Sequence, residues 1–325
     1  MGFGIWGSIA AIAACALAGS ALAIEAGQGA SVAWAFPEPP PAAKEAPPAP
    51  EGGFTVPGST QRYLAADLHN LFRAVDWFPE RRSAAPTIVL EGRRPGPMAC
   101  GYCHLPDGQG RPENAALAGL PAAYIVQQVQ AFHDGVRKGA QPAWLASVLM
   151  GRTAQAVDAD DVQAAAHWFE AQKYTRAFHL VEAQEIDAVA PAGGLYILRP
   201  GGGRESLGDR IVEIPNDVER FELRDNRPGF TISVPPGSIA RGRALAETGG
   251  EGRFTPCAAC HGAGLKGGLA PPLAGRYPAY LFRQLLGFSR GDRHTAAAAP
   301  MIETAAKLKP NEMVALAAYA ASLAP

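Results

Sequence analysis

The sequence predicts a mainly α-helical protein: two helical domains of one kind, joined by an extended strap with little β-structure. Three observations carry this. The cluster Cys-x-x-Cys-His occurs twice, at Cys100–His104 and at Cys257–His261, and takes four of the five cysteines. Residues 117–137 align with 273–293 at an offset of 156, with Leu117/Leu273, Gly119/Gly275, Tyr124/Tyr280, Gln128/Gln284, Phe132/Phe288, Gly135/Gly291 and Arg137/Arg293 identical. At an offset of 151, Met150 then meets Met301 and Trp168 meets Tyr319. A repeated order of cluster, helix, loop, methionine and closing helix is the mark of an internal duplication.

The elements follow in order. Residues 1–23 are apolar and small throughout, and the first charged side chain is Glu25. Ala21-Leu22-Ala23 fits the cleavage site of an export signal. An uncleaved N-terminal anchor that could span a bilayer, or lipidation at Cys15, are the alternatives. Each puts the remainder outside the cytoplasm, so a periplasmic location is expected, with a possible tether to the inner membrane. Residues 24–58 form a linker whose Pro-rich part, 36–53, favours extended polyproline geometry and no core of its own.

The first domain is expected over 59–180. It opens with an amphipathic candidate helix at 60–77, followed by an insertion before the first cluster. Tyr124, Gln128 and Phe132 share one face of a helix at i, i+4 and i+8, as Tyr280, Gln284 and Phe288 do in the second copy. Pro121 and Pro278 suit helix starts. Asp158 and Asp161 read as a capping box for the first closing helix, and Pro310 opens the second. The strap covers 181–237, with loose alternation only in "DRIVEI" and "GFTISV". The second domain takes 238–325.

A net charge of −1 and the lack of a basic run exclude a nucleic-acid grip. Three chemistries compete for Cys-x-x-Cys-His. A thioredoxin-like redox pair needs a βαβ setting that neither cluster has. A zinc site would have to draw ligands from repeats more than 150 residues apart, and disulfides do not require a histidine in both copies. Covalent attachment of a c-type haem uses every residue of the pattern: two thiols for the vinyl groups and the adjoining imidazole for the iron. The sequence therefore calls for two covalently attached haem c groups, on Cys100, Cys103 and His104 and on Cys257, Cys260 and His261.

The sixth iron position is expected to take a thioether from a loop on the opposite face. Met150 and Met301 stand at equivalent places before each closing helix. Met98 sits too near Cys100 to cross the ring, Met313 lies within a helix, and Met1 initiates the chain. The alternative makes both methionines core filler, with His133, His167, His179 and His294 as fallback ligands.

On these motifs, residues 98–175 and 238–325 resemble the di-haem class I c-type cytochromes, close to the cytochrome c4 type. The resemblance implies a helical cage around each haem and an N-terminal helix crossing the C-terminal helix at a small residue. Gly242 against Tyr319 fits that crossing. It also implies that the Pro271 carbonyl accepts a hydrogen bond from His261. Ala115 replaces that proline in the first copy, so a less preorganised contact to His104 is expected. Arg137 and Arg293 read either as partners of haem propionates or as solvated helix ends. Tyr124 and Tyr280 read as core aromatics or propionate donors, and Gln128 and Gln284 as packing or local hydrogen bonding.

The function these readings imply is single-electron transfer with no acid, base or nucleophile. The expected partners are redox proteins: a periplasmic dehydrogenase, a membrane quinol-oxidising complex or a terminal oxidase. Two alternatives stay open. The chain could be the fixed electron-accepting subunit of a dehydrogenase or oxidase complex, or a di-haem peroxidase, which needs one labile sixth position.

Overall fold

The computed structural model describes residues 32–37 and 50–325. The expected export signal, and linker residues 24–31 and 38–49, lie outside the described residues.

The first copy is built from α1 (Ala65–Leu68), α2 (Thr87–Leu90), α3 (Cys100–His104), α4 (Ala122–His133), α5 (Leu145–Ala156) and α6 (Ala159–Ala171). Its core joins Ile88 and Val89 of α2 to Leu120, Ile125, Ala166, Trp168 and Phe169. The helix expected at 60–77 is reduced to one turn. The carbonyls of Leu71, Phe72 and Leu90 instead accept backbone hydrogen bonds across the chain, from Ala99 N–H, Gly92 N–H and Ala74 N–H respectively. Side chains of this stretch form a separate apolar cluster of Val56, Tyr63, Leu68, Val75, Trp77 and Phe78 with Leu223.

The linker is corrected in the same way, since Val56 is buried and Ala35 and Phe36 are part of the largest core. Trp34 packs on Phe282 at 4.7 Å and Phe36 meets Trp144 edge-on at 5.5 Å. The aromatic residues at the linker's edge find apolar partners far along the chain, which a local composition reading does not register.

The strap differs most from expectation. It carries seven short strands: β1 (Phe178–Glu182), β2 (Glu185–Asp187), β3 (Val189–Ala192), β4 (Leu195–Leu198), β5 (Arg204–Ser206), β6 (Val212–Pro215) and, after α7 (Val218–Glu222), β7 (Phe230–Val234). β7 lies between β1, its parallel neighbour, and β6, its antiparallel one, with Phe178 opposite Phe230 and Pro215 opposite Phe230 from the other side. β2 pairs with β5, and β3 with β4. Gly193 and Gly194, both at positive φ, make the two-residue turn between β3 and β4. Strand β1 begins before the strap's expected boundary at 181. Its partner is 52 residues away, so pairing is non-local and short-range alternation was too weak to reveal it.

The second copy is α8 (Ser238–Gly252), α9 (Ala258–His261), α10 (Pro278–Ser289), α11 (Ala299–Ala306) and α12 (Pro310–Ser322). The chain turns left-handed at Gly249, Gly250 and Glu251 at the end of α8. α8 crosses α12 at Gly242, where an added Cβ would stand 1.9 Å from the Ala315 carbonyl oxygen and 2.7 Å from Tyr319 Cβ. This is the close crossing that the family resemblance implied. At the start of α6 the expected capping box is absent. Arg93 takes Asp158 at 2.8 Å and Asp161 at 2.7 Å, and the Asp158 side chain caps nothing.

Each long helix after a cluster is capped by a glutamate from elsewhere. Glu170 of α6 accepts from Ala122 N–H at 2.9 Å, whereas Glu213 of strap strand β6 accepts from Ala279 N–H at 3.0 Å. Glu213 is buried, and burial pushes its carboxyl up to about 7 against the opposing pull of the Ala279 amide and Arg283. The folded value lies above the ordinary one of 4.5, so the group costs nothing at low pH. Its cost grows as pH rises from 4.5 to about 7 and then stays constant, at roughly 3 kcal/mol. Glu213→Gln keeps an oxygen for Ala279. The variant is expected to melt higher than wild type at pH 8, with the gap closing as pH falls toward 4.5, in paired thermal melts.

Candidate functional site

One helical turn, α3, sets Cys100, Cys103 and His104 at i, i+3 and i+4, hence on one side. In the second copy Cys257 is the helical residue just before α9, which delivers Cys260 and His261 the same way. The chain leaves each turn at positive φ, Leu105 at 64° and Gly262 at 76°. Both loops then fold back on the histidine. Gly110 N–H donates to the His104 carbonyl at 2.9 Å and Gly267 N–H to that of His261 at 2.8 Å.

The two imidazoles are held alike. His104 Nδ1 lies 2.8 Å from the Ala115 carbonyl oxygen, and His261 Nδ1 lies 2.8 Å from that of Pro271. With Nδ1–H donating, Nε2 is the free lone pair. Burial lowers both imidazole pKa values, which favours the neutral, ligand-competent ring. The weaker contact expected from Ala115 is not what the structure has. Arg276 from the other copy supplies the stiffness that proline would give, donating to the Ala116 carbonyl at 2.8 Å and to that of Ala118 at 2.9 Å.

Cys100, Cys103 and His104 open onto one cleft. Its walls are largely apolar, among them Leu117, Ile125, Val129, Phe132, Trp144 and Phe169, and Met150 of α5 is part of the lining. The structure thus brings together all four residues the sequence assigns to the first site. It also adds two that sequence reading missed, Phe36 and Trp144, which line the same cleft as Met98. In the second copy, Met301 packs with Phe288, Ala298, Ile302 and Ala305 in the angle of α10 and α11. Both methionines sit on helices, α5 and α11, and not on loops; α5 runs on through Gly151 to Ala156, and α11 continues to Ala306. Pro300, inside the first turn of α11, was the sequence signal for that helix. The fallback histidines, His133, His167, His179 and His294, are all exposed.

Between the copies lies an arrangement with approximate two-fold symmetry. Arg137 and Arg293 face each other as an antiparallel bridge and are both buried. Arg137 donates to Gln128 at 2.7 Å, Gln284 at 3.1 Å and Tyr280 at 3.3 Å. Arg293 mirrors it, donating to Gln284 at 3.1 Å, Gln128 at 2.8 Å and Tyr124 at 3.3 Å. Neither is a solvated helix end. Burial and the neighbouring Arg137 lower the Arg293 pKa; burial pushes Tyr124 up, but the Arg293 charge and then that of Arg137 bring it below its ordinary value. Both guanidinium groups line the cleft. Among the described residues neither makes an ion pair with a carboxylate, and two buried like charges are costly unless anions meet them.

The residues of the first cleft therefore fit a haem: thiols, an imidazole and a thioether in one lining, apolar sides, and buried cations suited to propionates.

Comparison with known proteins adds the following. The cytochrome c family model matches residues 239–324, which is α8 through α12. Among solved structures, the chain is 31% identical to the as-isolated form of a thiosulfate dehydrogenase from Marichromatium purpuratum, with a TM-score of 0.45. That match covers 70% of this chain and 37% of the other, so the chain spans little more than a third of that protein. It is 21% identical to reduced cytochrome c4 from Pseudomonas stutzeri, with a TM-score of 0.43 and coverage of 69% and 93%. Cytochrome c4 from Acidithiobacillus ferrooxidans is 23% identical, with a TM-score of 0.47 and coverage of 69% and 98%. No curated protein matches the sequence.

Proposed function

We propose that this chain is a di-haem c-type cytochrome that carries single electrons. Cys100 and Cys103 would bind one haem c covalently, with His104 and Met150 on its iron. Cys257 and Cys260 would bind the second, with His261 and Met301. The observation that carries this reading is the matched pair of histidines, each following two thiols on one helical turn, each with Nδ1 2.8 Å from a backbone carbonyl.

The haems would supply reversible one-electron chemistry. What the chain does is hold and tune them. The thiols fix attachment. Ala115 and Pro271 orient the imidazoles and raise their basicity. A thioether and an apolar cleft favour the less charged reduced form, which raises the potential. No side chain needs to gain or lose a proton.

In this reading the chain works outside the cytoplasm and exchanges electrons with a periplasmic dehydrogenase, a quinol-oxidising complex or a terminal oxidase. A dedicated subunit of such a complex would use the same residues. Intact-mass measurement of the purified chain tests the core of the proposal: two covalent haems are expected, and one or none contradicts it.

The arginine pair gives a second check. Replacing Arg137 and Arg293 together by leucine removes two buried positive charges that favour electron uptake. The midpoint potentials are expected to fall on the order of tens of millivolts in a redox titration. Unchanged potentials would show that the pair does not sense the haems.

A further inference from the structure

The two clusters are alike in chemistry but opposite in exposure. Between the cysteines of the first copy, Gly101 and Tyr102 are buried; between those of the second, Ala258 and Ala259 are exposed. The first is covered by the chain itself. A Cβ on Gly101 would meet the Val89 carbonyl at 2.7 Å and Ala74 Cβ at 3.2 Å. Tyr102 packs with Ala74 and Ala99, and its carbonyl accepts from Arg224 at 2.8 Å. The Arg224 guanidinium lies 3.6 Å over the Tyr102 ring. This cover is stapled at two further points: Trp77 donates to the Leu223 carbonyl at 2.7 Å, and Arg227 to that of Pro57 at 2.9 Å.

The second cluster has no such cover among the described residues. Thr255, Pro256, Ala258, Ala259, Ala263, Gly264 and Gly268 are exposed, and Leu269 is 93% exposed. From 255 to 273 the single formal charge is Lys266, whose ammonium lies 3.3 Å from the Pro325 carbonyl oxygen. A fully exposed leucine amid alanine and glycine is the kind of surface an interface core uses, since charged groups are depleted there.

We infer that electrons enter and leave this protein at the second cluster, by docking of a redox protein whose own metal edge is ringed by uncharged apolar residues. A partner with a charged ring would have to strip water from several ions against a face whose one charge is Lys266. The first cluster then exchanges electrons only with the second and holds one in reserve, closed at its cysteine side by residues 59–97 and 218–227. This rests on the di-haem reading proposed above.

The test uses the haem-loaded protein and, as probe, a small blue-copper protein with an uncharged patch over its metal-ligating histidine. Hydrogen exchange with and without the probe is expected to show protection at 255–272 and none at 98–110. In rapid mixing, Leu269→Glu and Ala259→Glu are expected to slow oxidation of the reduced protein about tenfold. Leu64→Glu, on the exposed surface of the first copy's cover, is expected to leave the rate unchanged. Wild-type rates are expected to vary little with salt. Protection at 98–110, absence of protection at 255–272, or equal rates for all three variants overturns the inference. Protection of 255–272 by raising the protein's own concentration, without the probe, assigns the face to a second copy and overturns it too. A failure of the di-haem reading is visible separately, as fewer than two haems per chain before any probe is added.

Discussion

Gly242→Ala is expected to cost about 3 kcal/mol or more and to abolish a stable second copy at moderate temperature. The added methyl would stand 1.9 Å from the Ala315 oxygen, 2.5 Å from its carbonyl carbon and 2.7 Å from Tyr319 Cβ. These are backbone atoms and a Cβ on a buried helix, so nothing flexible can yield. α8 and α12 would have to separate, and α12 is buried from Glu312 through Ala321. The control is Gly151→Ala, in the interior of α5, where an added Cβ meets nothing within 4 Å. Alanine there should stabilise the helix by about 0.5–1 kcal/mol. Thermal melts of the two variants are therefore expected to move in opposite directions. A Gly242→Ala protein that melts with wild type would mean that α8 and α12 do not cross this closely.

The second large effect belongs to the methionines. If Met150 and Met301 close the sixth positions, Met150→Ala and Met301→Ala should each open one iron per chain and leave the other unchanged. Carbon monoxide is then expected to shift the spectrum of one haem in each single variant and of both in the double. The potential of the opened haem is expected to fall on the order of 0.1 V, because the thioether favours the reduced iron. If either alanine variant behaves as wild type, that methionine is core packing and another group holds the position.

The site was legible in the sequence because its parts are covalently close or repeated. Cys-x-x-Cys-His is fixed by one helical turn, and the duplication singles out Arg137 and Arg293, and Met150, which lines the first cleft, by equivalence. Gly242 was legible through the family resemblance, which implies a crossing at a small residue. What escaped were contacts made at long range. Ala115 looked like a weakened position until Arg276, from the other copy, was seen to brace the same loop. The strap's sheet depends on β1 meeting β7, and its Glu213 caps a helix in the second copy, neither of which leaves a local pattern. The sequence leaves the arginines open between helix ends and propionate partners. Their mutual placement, each bonded to glutamines and a tyrosine spanning both copies, arises only when the copies pack together.

The central claim is that both irons are held on two sides, and an optical spectrum of the purified, reduced wild-type protein before and after carbon monoxide tests it most directly. The account predicts two low-spin haems whose bands do not move when the gas is added. A shift at one haem would contradict it, mark that site as open or weakly held, and restore an enzymatic role for the chain.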